Sequence, residues 1–256
     1  MPGGGPKQQL DLYLPASRNF PSLLFVHGGS LSAGDRKEDP YLHVCEPIRE
    51  AGIGCASISY RLFPLVGWPA PVQDVASAFA WLKQNIRSRG GDPERLFLAG
   101  HSSGCMLVAL VGADPKYLET HGLMPRDVAG VIAIGCRLND RLDTKGIPME
   151  KLRRHFETDP YDRMFGSVEA LNDAVPMAHA GPGLPPMLIL MGDAERFQPP
   201  LLEDARAFRI AAGPAAARIQ IEILQHHTHL GVIAKLGAPG DPTLPLIVRF
   251  VGTAKR

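Results

Sequence analysis

Leu96-Phe97-Leu98-Ala99-Gly100-His101-Ser102-Ser103-Gly104-Cys105-Met106-Leu107-Val108-Ala109-Leu110-Val111 reads as a strand, a tight turn and a helix. The four apolar residues that open it suit a buried strand, and the apolar run 106–111 suits a buried helix. Between them stands Gly100-x-Ser102-x-Gly104. A turn this tight holds the serine backbone in a strained conformation, and side chains at either end would clash. The serine hydroxyl then stands clear above a sheet, beside the start of a helix.

Outward from this stretch, short apolar runs alternate with longer mixed segments. Residues 9–14 alternate, with Leu10, Leu12 and Leu14 on one face. Continuous runs follow at 23–26, 54–60, 128–135, 187–191 and 219–224, as expected of strands buried on both faces. Residues 74–86 carry Val75, Phe79, Trp81 and Leu82 at helical spacing, and 201–212 and 241–251 also read as helices. Strand and helix in alternation predict an α/β fold with a mostly parallel central sheet flanked by helices. At 256 residues the chain fits a single domain, residues 1–256. The stretch 137–186, rich in charge, Pro and Gly, is expected to be a cap or lid within that domain. The last helix, with Leu246, Val248 and Val251, suits docking on the sheet or a homodimer face.

Composition narrows the function. Apolar residues make up 45% and charged residues 21%, enough for a sizeable core. Lys plus Arg is 27 against 26 for Asp plus Glu, so a net charge of +1 provides no field for nucleic acid or an anionic membrane. No apolar run approaches the ~18 residues of a membrane span. Cys45, Cys55, Cys105 and Cys136 form no CxxC pair and lie among apolar neighbours. They read as unpaired buried thiols in a reducing compartment. With no apolar signal core after Met1, the expected location is cytoplasmic.

The chemistry expected is acyl transfer, with Ser102 as nucleophile. His27-Gly28-Gly29-Ser30 follows the 23–26 strand, and a glycine-rich loop lets backbone N–H groups approach an oxyanion. Gly29, Ser30 and Ser103 are the expected donors. His226, His227 and His229 follow the 219–224 strand, and the order serine, acid, histidine requires a base there. His229 is the better base, because the apolar run from Leu230 packs its loop on the core. No Cys or carboxylate cluster accompanies these histidines, so neither a metal nor an organic cofactor is expected. Gly192-Asp193-Ala194-Glu195 offers two carboxylates at the tip of the 187–191 strand. Residue chemistry leaves Asp193 and Glu195 both open as the acid that orients the imidazole.

With these pieces in place the chain resembles the α/β-hydrolase superfamily. More narrowly, it resembles the small carboxylesterase/lipase-like branch related to hormone-sensitive lipases and arylformamidases. The resemblance runs from Leu10 to about Phe250. It rests on Leu10-Asp11-Leu12-Tyr13-Leu14-Pro15, the His27-Gly28-Gly29 loop with Gly34-Asp35, Ser59-Tyr60-Arg61-Leu62, Pro69-Ala70 and Asp74. Gly90-Gly91-Asp92-Pro93, the elbow, Leu184-Pro185-Pro186 and His229 complete it. It implies a small cap between the sixth strand and the acid-bearing strand. It also implies an acid three residues after Gly192, which favours Glu195, although Asp is commoner there. Ser30 stands where a third glycine is usual and Leu31 where an aromatic is frequent, so Leu31 is expected near the acyl pocket. The implied activity is hydrolysis of small, short-chain carboxylic esters. The alternatives are an arylformamidase or other amidase, and a non-catalytic binding protein on the same fold. Arg61 and Asp35 are expected to brace loops, and Tyr161 and Met164 to lie in the cap.

Overall fold

The computed structural model describes residues 4–139, 149–159, 162–195 and 198–253. Its sheet contains β1 (Leu10–Tyr13), β2 (Phe20–Val26), β3 (Gly54–Ile58), β4 (Gly91–His101), β5 (Gly130–Ile134), β6 (Met187–Gly192) and β7 (Ile219–Leu224). The order is β1-β3-β2-β4-β5-β6-β7. β1 pairs antiparallel with β3, and every other neighbouring pair is parallel. This is the α/β-hydrolase architecture expected from the sequence.

The period-two geometry of strands explains why the apolar runs are continuous. Leu24, Val26, Ala56, Ile58, Leu96, Leu98, Val131, Ala133, Met187 and Ile189 point to one face. Leu23, Phe25, Cys55, Phe97, Ala99, Ile132, Ile134, Leu188 and Leu190 point to the other. Both faces are covered, so neither set can be polar. The first face meets α2 (Ala70–Asn85), α3 (Ser103–Ala113) and α7 (Gln198–Ala211). The second meets α1 (Cys45–Glu50), α8 (Gly231–Ala234) and α9 (Thr243–Thr253). Each large apolar side chain fully buried here contributes about 1.5–3 kcal/mol of transfer free energy. α4 (Lys116–Glu119), α5 (Met149–Thr158) and α6 (Val168–Asp173) are the remaining α-helices among the described residues. α9 docks on the sheet through Ile247, Phe250 and Val251, while Val248 stays exposed.

Three expectations need correction. β7 is not buried on both faces: it is the edge strand, and Gln220 faces solvent. The stretch 137–186 lies between β5 and β6, so the strand before it is the fifth among the described residues and not the sixth. The cysteines are not free. Cys45 pairs with Cys55, tying α1 to β3, and Cys105 pairs with Cys136, tying α3 to the end of β5. Their apolar surroundings were read correctly, with Cys45, Cys55 and Cys105 almost fully buried. Burial among apolar groups suits a disulfide as well as a thiol, so neighbours in sequence could not decide between them. The cysteine argument for a reducing compartment therefore falls.

The bracing roles are visible. Arg61 grips Asp74 through Nε and Nη2 at 2.7–3.1 Å, and its main-chain N–H donates to the same carboxylate. Asp35 accepts from Lys7 at 2.8 Å. Within the insertion, Met164 and Phe165 are buried, and Trp68 packs on Phe165 with ring centroids 5.2 Å apart. Tyr161 lies outside the described residues. Among the described residues no helix is long and apolar enough to cross a membrane.

Candidate active site

The carboxyl ends of β2, β4, β5, β6 and β7 open on one edge of the sheet, where ligands of parallel α/β sheets bind. Every candidate residue stands on that edge. Ser102 follows β4 at φ 55° and ψ −124°, a conformation that costs a non-glycine residue about 1–3 kcal/mol. The fold holds it there. The Ser102 N–H donates to Ile134 O at 2.9 Å, and α3 begins at the next residue. A Cβ on Gly104 would lie 2.3 Å from Val26 O, and one on Gly100 would lie 2.4 Å from Gly104 O. The two glycines of the pentapeptide are therefore needed for close approach.

The glycine-rich loop lies beside the serine. A Cβ on Gly28 would come within 2.9 Å of Ser102 Cβ. Gly29, Ser30 and Leu31 all have positive φ, at 123°, 51° and 60°. Ser32 and Ala33 N–H groups close the turn onto Gly29 O. The Leu31 N–H donates to Ser103 Oγ at 3.4 Å, which links this loop to the elbow. Among the described residues nothing accepts the N–H groups of Gly29 and Ser30. Leu31 itself is fully buried in the core beside the sheet and presents no open surface to a ligand.

Of the two carboxylates after β6, Glu195 is the one that meets the histidine. His229 Nδ1 lies 3.2 Å from Glu195 Oε2, and the Gly192 N–H donates to Oε1 at 3.0 Å. Glu195 is almost fully buried, whereas His229 is 37% exposed and can face a substrate. Asp193 points elsewhere and accepts from the His227 N–H at 3.3 Å. His227 is buried, with Nδ1 on Gln225 O, and His226 sits in the turn before it. The three histidines form no ligand cluster among the described residues. Among the described residues no hydrogen bond joins Ser102 to His229.

Sequence reasoning gave no role of their own to several residues around this constellation. Gly135, at φ 58°, leaves the space that Glu195 and His229 fill: a Cβ there would lie 3.1 Å from Glu195 Oε1 and 3.2 Å from His229 Nδ1. A glycine closing the 128–135 run was its only signal. His27 stacks on Tyr60 with centroids 4.4 Å apart and donates Nδ1–H to Gly28 O. Burial lowers its pKa to about 4. His101 is buried against Tyr41 and His229, and burial lowers its pKa to about 3. Both rings are neutral at pH 7.

Comparison with known proteins bears on the family and the fold. The BD-FAE family model matches residues 10–201. The esterase LipC of Mycobacterium tuberculosis is 31% identical over 99% of the chain and 64% of its own length. The probable carboxylic ester hydrolase LipM of the same organism is 27% identical over 80% of the chain and 48% of its own length. The chain thus spans about half to two thirds of these relatives. Among solved structures, the propionate-bound esterase Est2 of Thermogutta terrifontis superposes with a TM-score of 0.72 at 22% identity, covering 95% of this chain and 86% of that one. That likeness bears on the fold alone.

Proposed function

The chain belongs to the BD-FAE family of the α/β-hydrolase superfamily, and on that premise we propose that it is a serine carboxylesterase acting on short-chain esters. The observation that carries this reading is that a strained serine and a histidine hydrogen-bonded to a buried carboxylate both follow strands at one edge of the sheet. Ser102 Oγ attacks the ester carbonyl while His229 Nε2 takes its proton. Glu195 holds Nδ1–H and stabilises the imidazolium that forms. The N–H groups of Gly29, Ser30 and Ser103 receive the oxyanion, each donor giving about 100- to 1000-fold. His229 then protonates the leaving alcohol, and water hydrolyses the acyl-enzyme by the same steps in reverse order. This chemistry uses no metal or organic cofactor.

Residues 137–186 form the cap in this reading, within a single domain. A cap this small leaves a shallow pocket, which suits acyl chains of two to four carbons. The test is hydrolysis of p-nitrophenyl esters from acetate to dodecanoate. Turnover should peak between acetate and butyrate and fall at least 1000-fold in Ser102→Ala. A peak at eight carbons or longer would contradict the short-chain assignment. Faster turnover of aryl formamides would replace it with an amidase.

A further inference from the structure

His101 occupies the variable position just before Ser102, and the mechanism above gives its side chain no part. Its surroundings are specific. The ring is fully buried. His101 Nε2 lies 2.9 Å from His229 O, and His101 Nδ1 lies 3.0 Å from the Tyr41 hydroxyl. A carbonyl oxygen only accepts, so Nε2 carries the proton and donates it. Nδ1 is then a bare acceptor, and the Tyr41 O–H donates to it. One tautomer satisfies both partners. With its pKa lowered to about 3 by burial, the ring keeps that neutral form throughout the neutral pH range.

The chain of contacts joins the parts of the site. Tyr41 is buried, and its hydroxyl fills the space a side chain on Gly28 would need, 2.5 Å from the position of such a Cβ. His101 therefore joins the elbow to the His229 loop by a hydrogen bond, and Tyr41, which bonds the other side of its ring, packs against the Gly28 loop. The tie to His229 is at its main chain, and the ring of His101 lies 4.6 Å from the ring of His229.

We propose that His101 is a positioning residue for the esterase reaction: its Nε2–H anchors the backbone of the base loop to the residue that precedes the nucleophile, and Tyr41 holds it in the tautomer that does so. The inference rests on the reading of Ser102 and His229 as nucleophile and base. A displacement of about 1 Å between reacting groups costs on the order of 100-fold in rate. Loss of the anchor should therefore act on kcat and leave substrate binding nearly untouched.

The experiment is steady-state hydrolysis of p-nitrophenyl butyrate by wild type, His101→Leu, His101→Gln and Tyr41→Phe. Rates are expressed per active site, titrated with a fluorophosphonate, so that misfolded protein does not count. His101→Leu should lower kcat at least tenfold with KM within threefold of wild type. His101→Gln keeps a donor at similar reach and should return kcat to within threefold. Tyr41→Phe should lower kcat three- to tenfold with KM unchanged, and it carries the test alone if His101→Leu does not fold. The proposal is overturned if His101→Leu keeps kcat within threefold, if His101→Gln is as impaired as His101→Leu, or if only KM changes. Wild-type turnover that survives in Ser102→Ala overturns the esterase reading itself, and the positioning role falls with it.

Discussion

The proposed choice of Glu195 over Asp193 rests on differences at the scale of single atoms. The two residues share a turn, and one methylene separates their reach. Gly192 donates to Glu195 Oε1 and turns Oε2 towards His229, while Asp193 is held by the His227 main chain. Glu195→Gln should therefore lower kcat about 100- to 10,000-fold, because an amide that donates to Nδ1 enforces the wrong tautomer. Asp193→Asn keeps an acceptor for His227 and should stay within about threefold of wild type. Steady-state kinetics of the two variants check this, and the opposite ranking would assign the acid to Asp193.

At the scale of elements, the helices and strands were legible wherever the pattern is local. The 219–224 strand was read with its observed limits, and α2 and α9 with ends shifted by a few residues. The elbow was legible because glycine, serine and glycine fall within five residues and the strand precedes them directly. The cysteine pairs were not. Their partners are 10 and 31 residues apart and meet only once α1 lies on β3 and α3 on β5. Gly135, Tyr41 and His101 were missed for the same reason, since each acts across the sheet edge on loops distant in sequence. The disulfides close loops worth about 3–4 kcal/mol each in chain entropy. Thiol titration of the denatured, unreduced protein should find no free cysteine, and reduction should lower Tm. Four titratable thiols would restore the expectation of unpaired cysteines.

At the scale of the whole molecule, stability and the proposed chemistry share the same edge of the sheet. His27 and His101 are held neutral there, with pKa values of about 4 and 3 against 6.5 in the unfolded chain. Above pH 6.5 neither state binds these protons, and the native fold keeps the full contribution. As pH falls below 6.5 the unfolded chain takes them up first, so stability declines down to the folded pKa values. Each ring contributes a slope of up to about 1.4 kcal/mol per pH unit in that window. Tm should fall between pH 6.5 and 4, less steeply in His101→Gln than in wild type. Equal slopes would show that His101 is not held neutral by the fold.

The central claim is that one serine, activated by one histidine, performs acyl transfer. Incubation with an organophosphate such as paraoxon, followed by intact-mass and peptide analysis, tests it most directly. We expect one adduct per chain, on Ser102, with none in Ser102→Ala and a rate at least 100-fold lower in His229→Ala. An adduct on another residue, or none on the folded wild-type protein, would contradict the account.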